Sequence, residues 1–578
     1  MDTLKKINYL LDKKAKLQTV GLFFMILLGS FAELLGVSVL LPIVELAMNE
    51  KAGESFVFLW ISRLTGYTTK EEILLFLICA TIILYILKNL YLSWMNGEMY
   101  FFAANVKRRL ATNLMQAYLE QPYAFFLYRN SSELIRSVNT DTASLYEVVV
   151  NCLLILSNGV TAVCLIVNLA VTNLVMTLVI AALLSFCAVL VLLIVQKRTR
   201  YYGTVNQRMS GFLIRHLQQA FDGIKEIKIL NNERYFIDRY DDAYRRQTEV
   251  ERKSKLVNLI PKYIIEAVCI SGILAYLGVN ILVNPEYAKL LPQLAIFSVT
   301  AYKLLPAVNS VYAYVNTIMY HRASIDLVYR DMKDAEALAE SREVIAADAA
   351  EKLPLKEALL AEHLTFGYLH TERDVLTDVS FTIARGSSVA LIGASGGGKT
   401  TTADILLGLL APREGRILVD GRDIREHLRA WRRNIGYIPQ SIYLTDDTIR
   451  GNVAFGIEER EISDAQVKRA LKEAQLAEFV EGLPKKEYTE VGERGVRLSG
   501  GQRQRIGIAR ALYHDPEILI FDEATSALDN ETEKELMRSI EGLRGSKTML
   551  MIAHRLSTIE SCDAVYRVEN GRIEKVRG

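Results

Sequence analysis

The stretch SVALIGASGGGKTTTADILLGLL, residues 388 to 410, decides the fold of the C-terminal part of the chain. It is an apolar strand-like run, a glycine-rich turn and a helical pattern, and Gly393 to Thr400 fill every position of the motif GxxxxGK[ST]. Glycines let successive backbone N–H groups close around phosphate oxygens, and the N-terminus of the following helix adds its dipole. Because a flexible glycine linker does not require this flanking strand and helix, the pattern predicts a site for a nucleoside triphosphate.

The individual residues of this loop have separate predicted roles. Lys399 is expected to reach the β- and γ-phosphates, and the hydroxyl of Thr400 is expected to hold Mg²⁺. ATP and Mg²⁺ are therefore the predicted cofactors. The predicted nucleotide contacts of the loop are Gly393, Ala394, Ser395, Gly396, Gly397, Gly398, Lys399, Thr400 and Thr401.

A second acidic motif lies further along the chain. EILIFDEATSALD, residues 517 to 529, is an apolar strand that ends in Asp522 and Glu523. The first carboxylate is predicted to hold Mg²⁺ through water, and the second to orient and polarise the attacking water. Two adjacent acids could also be ordinary surface charge, and the remaining motifs decide against that reading.

Those motifs identify the soluble half as resembling the ATP-binding cassette (ABC) ATPases over residues 356 to 578. LSGGQ at 498 to 502, followed by RQRIGIARAL, is similar to the signature sequence of that family, and SALD at 526 to 529 resembles its D-loop. The resemblance implies that the signature of one chain closes on ATP held by the phosphate loop of a second chain, so that the functional unit is a homodimer. The signature residues implied to contact nucleotide are Ser499, Gly500, Gly501 and Gln502.

The same resemblance assigns three more residues. Gln440 in GYIPQSIYL is similar to the glutamine that senses Mg²⁺ and faces the membrane domain, and His554 in MIAHRLST matches the histidine that contacts the γ-phosphate. Tyr368 resembles the aromatic residue that stacks on adenine, although a lone tyrosine more often belongs to a core. Glu523, Gln440 and His554 are thus the implied catalytic residues, and Thr400, Gln440 and Asp522 are the implied Mg²⁺ ligands.

Composition separates the chain into two parts that face different solvents. The 578 residues are 51% hydrophobic, and long apolar runs crowd the first 320 residues. About 20 apolar residues cross a bilayer as a helix. The predicted spans are approximately 18 to 44, 72 to 95, 140 to 169, 173 to 197, 259 to 283 and 290 to 319.

Six spans ahead of one ATPase domain resemble an ABC exporter half-transporter. The expected fold is an α-helical membrane domain with six transmembrane helices, of the type IV ABC exporter kind, fused to an α/β P-loop ABC ATPase domain. The expected divisions are a membrane domain over 1–329 with an N-terminal interfacial helix, a solvated helical linker over 330–355, and an ABC ATP-binding domain over 356–578. TEVGERG, residues 489 to 495, resembles the segment through which exporters couple ATPase to membrane helices.

Charge patterning predicts the orientation in the membrane. Basic residues precede span one and fill the long connections 98–139 and 198–258, which the positive-inside bias places in the cytoplasm as helices that continue beyond the bilayer. The first apolar run is long enough to span and no cleavage site follows it, so we expect it to stay as an anchor. We therefore predict a multi-pass protein of the bacterial inner membrane whose ATPase domain is cytoplasmic.

Net charge and cysteine spacing argue against two classes of ligand. A formal net charge of only +2 gives no strong basic field that would attract nucleic acid. The six cysteines have neither the spacing of a zinc site nor a disulfide pattern. Residues 2–17 place apolar residues broadly on one helical face and lysines on the other, which favours an interfacial helix over a solvated basic tail. Residues 48–70 contain SFVFLWISRL, which is predicted either to contact a lipid tail from the outer interface or to pack against span ends.

Charged residues inside the predicted spans give information on the transported substrate. Lys88 and Lys303 have no local partner in sequence, whereas Lys262 and Glu266 are one helical turn apart and can pair. Glu33 can neutralise only one lysine per chain. The lysines are predicted either to line a positively charged cavity that suits a phosphate or pyrophosphate headgroup, or to be paired structurally, or to extend toward an interface.

A closer resemblance supports the anionic headgroup. The chain is similar to the ABC exporters that flip lipid-linked oligosaccharides in bacterial protein N-glycosylation, in stretches that include YKLLPAVN (302–309) and IPQSIYLTDDTI (438–449). That resemblance implies arginines at the positions of Lys88, Lys262 and Lys303, so the charge is kept but the bidentate fork is lost. These three lysines are the predicted substrate contacts, and the predicted partners are a lipid-linked anionic substrate, membrane lipids and a second copy of the chain.

Two alternatives remain at this point. One is an exporter of phospholipid, lipopolysaccharide core or amphipathic drugs, for which neutralising the intramembrane lysines should barely affect transport. The other is an ATP-gated channel or regulatory membrane ATPase, which could tolerate a degenerate catalytic acid, and the intact Glu523 disfavours it. A soluble ABC protein is excluded by the six spans.

Overall fold

The computed structural model describes the chain as two compact units. It describes residues 2–39, 42–43, 46, 61–63, 65–67, 69–172, 174–283, 291–337, 351–369, 371, 373–523, 530–553, 555 and 559–578. The first unit comprises Met1–Gln121 and Tyr128–Glu343, and the second comprises Pro122–Leu127 and Val344–Gly578. The predicted linker over 330–355 lies at the boundary, and the predicted external segment over 48–70 lies mostly outside the described residues.

Long helices build the first unit. In chain order they follow a short helix α1 (Asp2–Leu10), and each carries one of the predicted spans. They are α2 (Lys13–Ser38), α3 (Lys70–Leu119), α6 (Thr142–Thr172), α7 (Leu174–Asp222), α9 (Glu233–Val283) and α10 (Leu291–Ala337). The short helices between them are α4 (Tyr123–Tyr128), α5 (Ser131–Arg136), a π-helical turn (Ser137–Asp141) and α8 (Ile224–Leu230).

Several of these helices are far longer than a bilayer requires. The 50 residues of α3 extend roughly 75 Å at about 1.5 Å per residue, against a hydrocarbon core of about 30 Å. The predicted continuation of helices beyond the bilayer is therefore confirmed. By length and composition, the described stretches Lys13–Ser38, Lys70–Leu119 and Ser131–Val171 are apolar enough to cross a membrane. Many large apolar side chains on these helices are exposed, as expected of surfaces that face lipid.

The N-terminal segment forms two helices instead of one. α1 ends at Leu10, and Asp12 caps α2 by accepting a hydrogen bond of 2.8 Å from the backbone N–H of Ala15. Lys6 forms an ion pair of 2.9 Å with Asp326 of α10. Residues 2–17, which were predicted to form an interfacial helix, are thus divided at Leu11–Asp12, because an aspartate cap starts a new helix there.

Polar contacts join the long helices inside the first unit. Thr199 of α7 donates a hydrogen bond of 2.6 Å to Asn316 of α10, and Asn316 in turn donates to Asn258 of α9. Both Thr199 and Asn316 are buried. Because a buried polar group without a partner is costly, these matched hydroxyl and amide groups hold α7, α9 and α10 in one register.

The second unit contains two β-sheets. One has four strands in the antiparallel order β2-β1-β4-β5, and the other has six strands in the order β10-β9-β3-β8-β7-β6. The strands are β1 (Ala358–Phe366), β2 (Leu376–Ala384), β3 (Ser388–Ile392), β4 (Glu414–Val419), β5 (Arg422–Asp423), β6 (Ile435–Ile438), β7 (Ile518–Asp522), β8 (Thr548–Ile552), β9 (Ala564–Glu569) and β10 (Arg572–Arg577). β3, β6, β7, β8 and β9 are parallel, and β10 pairs antiparallel with β9.

Helices pack on the six-stranded sheet and complete the α/β architecture. The central strands β3, β7 and β8 are almost wholly buried, which explains their continuous apolar sequences. The helices are α11 (Lys399–Leu406), α12 (Leu428–Arg432), α13 (Ile449–Val453), α14 (Asp464–Glu473), α15 (Ala477–Glu481), α16 (Gly500–Leu512) and α17 (Asn530–Glu541). The phosphate loop follows β3 and the acidic pair ends β7, so parallel pairing through β8 brings both motifs to the same edge.

Candidate functional site

The glycine-rich loop has a backbone that side chains would disturb. Gly393 and Gly398 have φ values of 143° and 105°, in a region that L-residues other than glycine rarely adopt. A Cβ atom on Gly393 would collide with the carbonyl oxygen of Val568 on β9. Ala394, Ser395 and Gly396 are exposed at the loop tip. The loop therefore has the glycine conformations that the phosphate-binding motif requires, and its contact with phosphate stays a prediction.

Lys399 lies buried at the start of α11. Its ammonium donates hydrogen bonds of 2.9 Å and 3.0 Å to the carbonyl oxygens of Gly393 and Ala394. Burial lowers its pKa, and the carboxylates of Glu523 and Asp522 act in the opposite direction. The cation is thus held within the loop, at the place where phosphate charge would have to be neutralised.

A hydroxyl and carboxylates fit a magnesium ion. Thr400 hydrogen-bonds to Asp522, and Tyr437 of β6 donates a second hydrogen bond of 3.4 Å to the same carboxylate. Burial and the neighbouring Glu523 raise the pKa of Asp522, a cost that a bound cation would remove. Oxygen ligands of this kind are those that Mg²⁺ prefers, so the residues fit the ion.

Gln440 and Glu523 meet although 83 residues separate them. The Gln440 amide donates a hydrogen bond of 2.9 Å to the Glu523 carboxylate, and Glu523 has a left-handed φ of 47°. Non-glycine residues in this conformation concentrate at functional sites. The structure thus brings together two of the three predicted catalytic residues. His554 and the D-loop residues 526–529 lie outside the described residues.

Tyr368 lies beside the phosphate loop. Its hydroxyl is 3.1 Å from the hydroxyl of Thr401 on α11, and its ring packs edge-on against Phe366. The side chain is only partly buried, which leaves ring surface for a base. The stacking of Tyr368 on adenine stays a prediction.

The signature motif begins α16. Ser499 caps this helix reciprocally with Gln502: its hydroxyl accepts from the Gln502 N–H at 3.2 Å, and its own N–H donates to the Gln502 side chain at 2.9 Å. Ser499 and Gly500 are exposed. Among the described residues, no hydrogen bond joins this motif to the phosphate loop of the same chain. An exposed helix N-terminus can meet a phosphate presented by another molecule.

Three residues near this site were not foreseen. Tyr437 on β6 hydrogen-bonds to Asp522, and Arg510 and Asn452 fasten the segment after Gln440 to α16. Tyr437 lies only three residues before Gln440, and that proximity is the signal that could have identified it. Arg510 and Asn452 are ordinary residues by sequence, so only their contacts reveal a role.

Lys88 has a partner inside the membrane unit. Its ammonium is 3.2 Å from the carboxylate of Glu33, and the two side chains are 2% and 19% exposed. The same ammonium lies 4.3 Å from the ring centroid of Tyr85. These contacts favour the structural pairing that the sequence left open for Lys88. For Lys303 the structure gives a helical backbone in α10, and its side chain lies outside the described residues.

Lys262 instead lines a cavity of about 520 Å³ between α9 and α10. The lining residues are Asn258, Leu259, Lys262, Glu266, Leu305, Pro306, Asn309, Ser310 and Ala313. Within the described part of the chain, no ion pair joins Lys262 to Glu266, although they are four residues apart. The buried oxygen of the Asn309 amide has no hydrogen-bond partner among the residues that the structure describes. The cavity therefore offers a cation, a carboxylate and an unmatched acceptor together.

Comparisons with known proteins agree with the two-part architecture. The ABC transporter family matches residues 376–526, and the ABC transporter transmembrane region matches residues 19–284. An ATP-dependent lipid A-core flippase of Pseudoalteromonas translucida is 31% identical over 492 residues, which cover 82% of this chain and 80% of that protein. A heterocyst differentiation ATP-binding protein of Nostoc is 30% identical over 503 residues, covering 83% and 79%.

A solved structure extends the similarity to nearly the whole chain. A bacterial Atm1-family ABC exporter with ATP bound superposes with a TM-score of 0.73 at 25% identity, and the match covers 98% of this chain and 96% of that one. The type IV exporter fold expected from the sequence is confirmed by this match and by the two family matches.

Proposed function

The chain belongs to the ABC transporter family, and on that premise we propose that it is a homodimeric exporter that uses ATP to flip a lipid-linked oligosaccharide across the bacterial inner membrane. The ATPase activity and the export of a substrate are inferred from membership of this family. The headgroup chemistry rests on one observation, the polar cavity at Lys262 between α9 and α10.

Charge patterning supports a location of this cavity near the inner leaflet, which would suit the entry of a headgroup. Lys262 is at the start of the fifth predicted span, next to a connection that the positive-inside bias assigns to the cytoplasm. An ammonium without an ion-pair partner among the described residues attracts a phosphate or pyrophosphate. This supports an anionic lipid over a neutral or cationic amphiphile.

The other lining groups favour a sugar next to that phosphate. Glu266 would repel a phosphate, but its carboxylate and the amide oxygen of Asn309 are acceptors for sugar hydroxyls. A hydrophobic drug would leave the buried oxygen of Asn309 without a hydrogen bond, at a cost of about 1–3 kcal/mol. A phosphorylated glycolipid satisfies both kinds of group.

The ATP site supports a dimer. Lys399 and the phosphate loop provide one half of a nucleotide site, and the exposed Ser499 at the start of α16 provides the kind of surface that would close a second one. Two copies placed head to tail would each complete the site of the other. In each site, ATP bound with Mg²⁺ at Thr400 and Asp522 would have its leaving-group charge neutralised by that ion. Glu523 would accept a hydrogen bond from the attacking water.

Movement of the ATPase domains has to reach the membrane helices. The segment Pro122–Leu127, which follows α3, groups with the second compact unit instead of the first. The burial of Ala124 against the core of that unit supports a coupling role for α4. We propose that closure on ATP is transmitted through this segment and through α8, and that hydrolysis resets the exporter.

The test is ATP-dependent translocation in proteoliposomes that contain either a polyprenyl-pyrophosphate oligosaccharide or a lipid A-core glycolipid. We expect the first lipid to be flipped, and Glu523→Gln to abolish flipping. Lys262→Ala should reduce flipping at least about fivefold with unchanged basal ATPase, and Lys255→Ala, an exposed lysine of the same helix, should not.

Two outcomes would redirect the proposal. Flipping of the lipid A-core glycolipid alone would assign the chain to the activity named for its relative in Pseudoalteromonas translucida. The protein could also flip a neutral phospholipid as fast as the polyprenyl-pyrophosphate oligosaccharide, with no effect of Lys262→Ala. That result would contradict the proposal that Lys262 recognises an anionic headgroup.

A further inference from the structure

Arg510 fastens the segment after Gln440 to the signature helix α16. Its guanidinium makes two hydrogen bonds to Asn452: Nε donates to the carbonyl oxygen at 2.8 Å, and one terminal nitrogen donates to the side-chain oxygen at 3.1 Å. The other terminal nitrogen donates to the carbonyl oxygen of Tyr443 at 2.8 Å. The guanidinium also lies 4.6 Å from the ring centroid of Phe455. All these partners lie between residues 443 and 455.

Asn452 extends the same attachment through the interior of the segment. Its side chain is fully buried. Its amide nitrogen donates to the carbonyl oxygens of Thr445 and Thr448 at 3.1 Å and 3.0 Å, and its oxygen accepts from the N–H of Thr445 at 3.0 Å. Every hydrogen-bonding position of this amide is used, so residues 443–452 and Arg510 form one rigid group, which we name the arginine clamp.

The clamp lies between two parts of the ATPase machinery. On one side the chain leads back to Gln440, whose amide contacts Glu523 at 2.9 Å. On the other side Arg510 is in the last turn of α16, whose first turn carries Ser499 as its cap. Arg510 lies eleven positions after Ser499, roughly 16 Å along the helix at about 1.5 Å per residue. A straight helix of this length moves as a rigid rod.

We propose that Arg510 is a positioning residue that couples the two ATP sites of the dimer. The inference rests on the proposed homodimer, in which the signature of one chain closes the site of the other. A shift of Gln440 and residues 443–452 on nucleotide binding would then displace α16 and its signature. The state of one site would thereby set the closure of the opposite site.

The chemistry of arginine explains why this residue type is needed. Its planar guanidinium directs several N–H groups at once, whereas a lysine ammonium is a compact charge at the end of a flexible stem. Arg510→Lys keeps the charge and much of the aliphatic stem, but it cannot hold Tyr443 and both groups of Asn452 in this geometry. That change therefore weakens the clamp with little disturbance of the fold.

The experiment measures ATP hydrolysis against ATP concentration for the full-length protein in lipid nanodiscs, together with equilibrium binding of a fluorescent ATP analogue. For wild type we expect cooperative hydrolysis. For Arg510→Lys we expect kcat to fall at least about fivefold and the Hill coefficient to approach one, with the Kd of the analogue within about twofold. Arg510→Ala should lower kcat and the Hill coefficient further. If the alanine variant does not fold, the result for Arg510→Lys alone tests the proposal.

The matched control is Arg469→Ala. Arg469 donates to the carbonyl oxygens of Leu512 and Tyr513 at the C-terminal end of α16, at 3.3 Å and 3.0 Å, and among the described residues no hydrogen bond or ion pair joins it to residues 443–452. It should leave both kcat and the Hill coefficient within about twofold of wild type. An equal loss of cooperativity in this control would overturn the clamp and indicate general loosening of α16.

Two further results separate the clamp from its premise. Cooperative hydrolysis that persists unchanged in Arg510→Lys overturns the clamp and leaves the dimer intact. Non-cooperative hydrolysis by wild type overturns coupling between two sites, and the clamp with it.

Discussion

The side-chain amide of Gln440 donates a hydrogen bond of 2.9 Å to the carboxylate of Glu523, across 83 residues of sequence. The contact ties the residue expected to act on water to the segment that carries the arginine clamp. Glu523→Gln should reduce ATP hydrolysis by at least about a hundredfold, because a neutral amide cannot accept the proton of the attacking water. Steady-state phosphate release measures this loss, and ATP binding should persist.

Glu541→Gln makes the same chemical change on an exposed acid of α17 and should hydrolyse ATP like wild type. Substantial hydrolysis by Glu523→Gln, with the control normal, would assign the catalytic base elsewhere.

Two glycines of the phosphate loop should respond differently to alanine. At Gly393 a Cβ would strike the carbonyl of Val568, whereas at Gly396 it would have open space and only a φ of 79° to oppose it. Gly393→Ala should therefore abolish ATP binding or folding. Gly396→Ala should cost about 1 kcal/mol of stability. Thermal unfolding and nucleotide binding compare the two, and equal losses would contradict the geometry described here.

The Lys88–Glu33 pair predicts a double-mutant result. Lys88→Met removes the ammonium that faces the Glu33 carboxylate and should destabilise the protein by about 3 kcal/mol, the low end for buried pairs because Glu33 is partly exposed. Adding Glu33→Gln should restore most of that stability. Thermal unfolding in detergent measures both, and an additive loss in the double variant would show that the two residues act independently.

Asp404 predicts a pH dependence in the ATPase domain. Burial and the nearby Asp522 raise its pKa to about 6, above its unfolded value of 3.8. The folded state therefore binds more protons between these values, and stability falls as pH rises from about 4 to about 6. Asp404→Asn should flatten this dependence and stabilise the protein at pH 7 by on the order of 1 kcal/mol, a value discounted for the partial exposure of the carboxyl. Chemical unfolding at pH 4.5, 6 and 7 measures it, and an unchanged slope in the variant would contradict the prediction.

The motifs of the ATPase domain and the positions of the long helices could be read from local sequence. A phosphate loop needs glycines at set spacings because its backbone must adopt positive φ angles, as it does at Gly393 and Gly398. A membrane helix needs a long apolar run because polar and charged side chains are costly in the hydrocarbon core of the bilayer. Both requirements act over neighbouring residues, so they leave a pattern in the order of the chain.

Side-chain partners separated by many residues were decided only by tertiary packing. Glu33 could be matched with Lys88 only once α2 and α3 were side by side, and Lys262 was shown beside Asn309 only by the packing of α9 on α10. Arg510 finds Tyr443 across 67 residues in the same way. No local spacing encodes such contacts, because they depend on how separate helices and strands pack. The sequence by itself therefore determined the ATP-driven exporter architecture, and the tertiary structure decided that Lys88 pairs with Glu33 and that Lys262 lines a cavity.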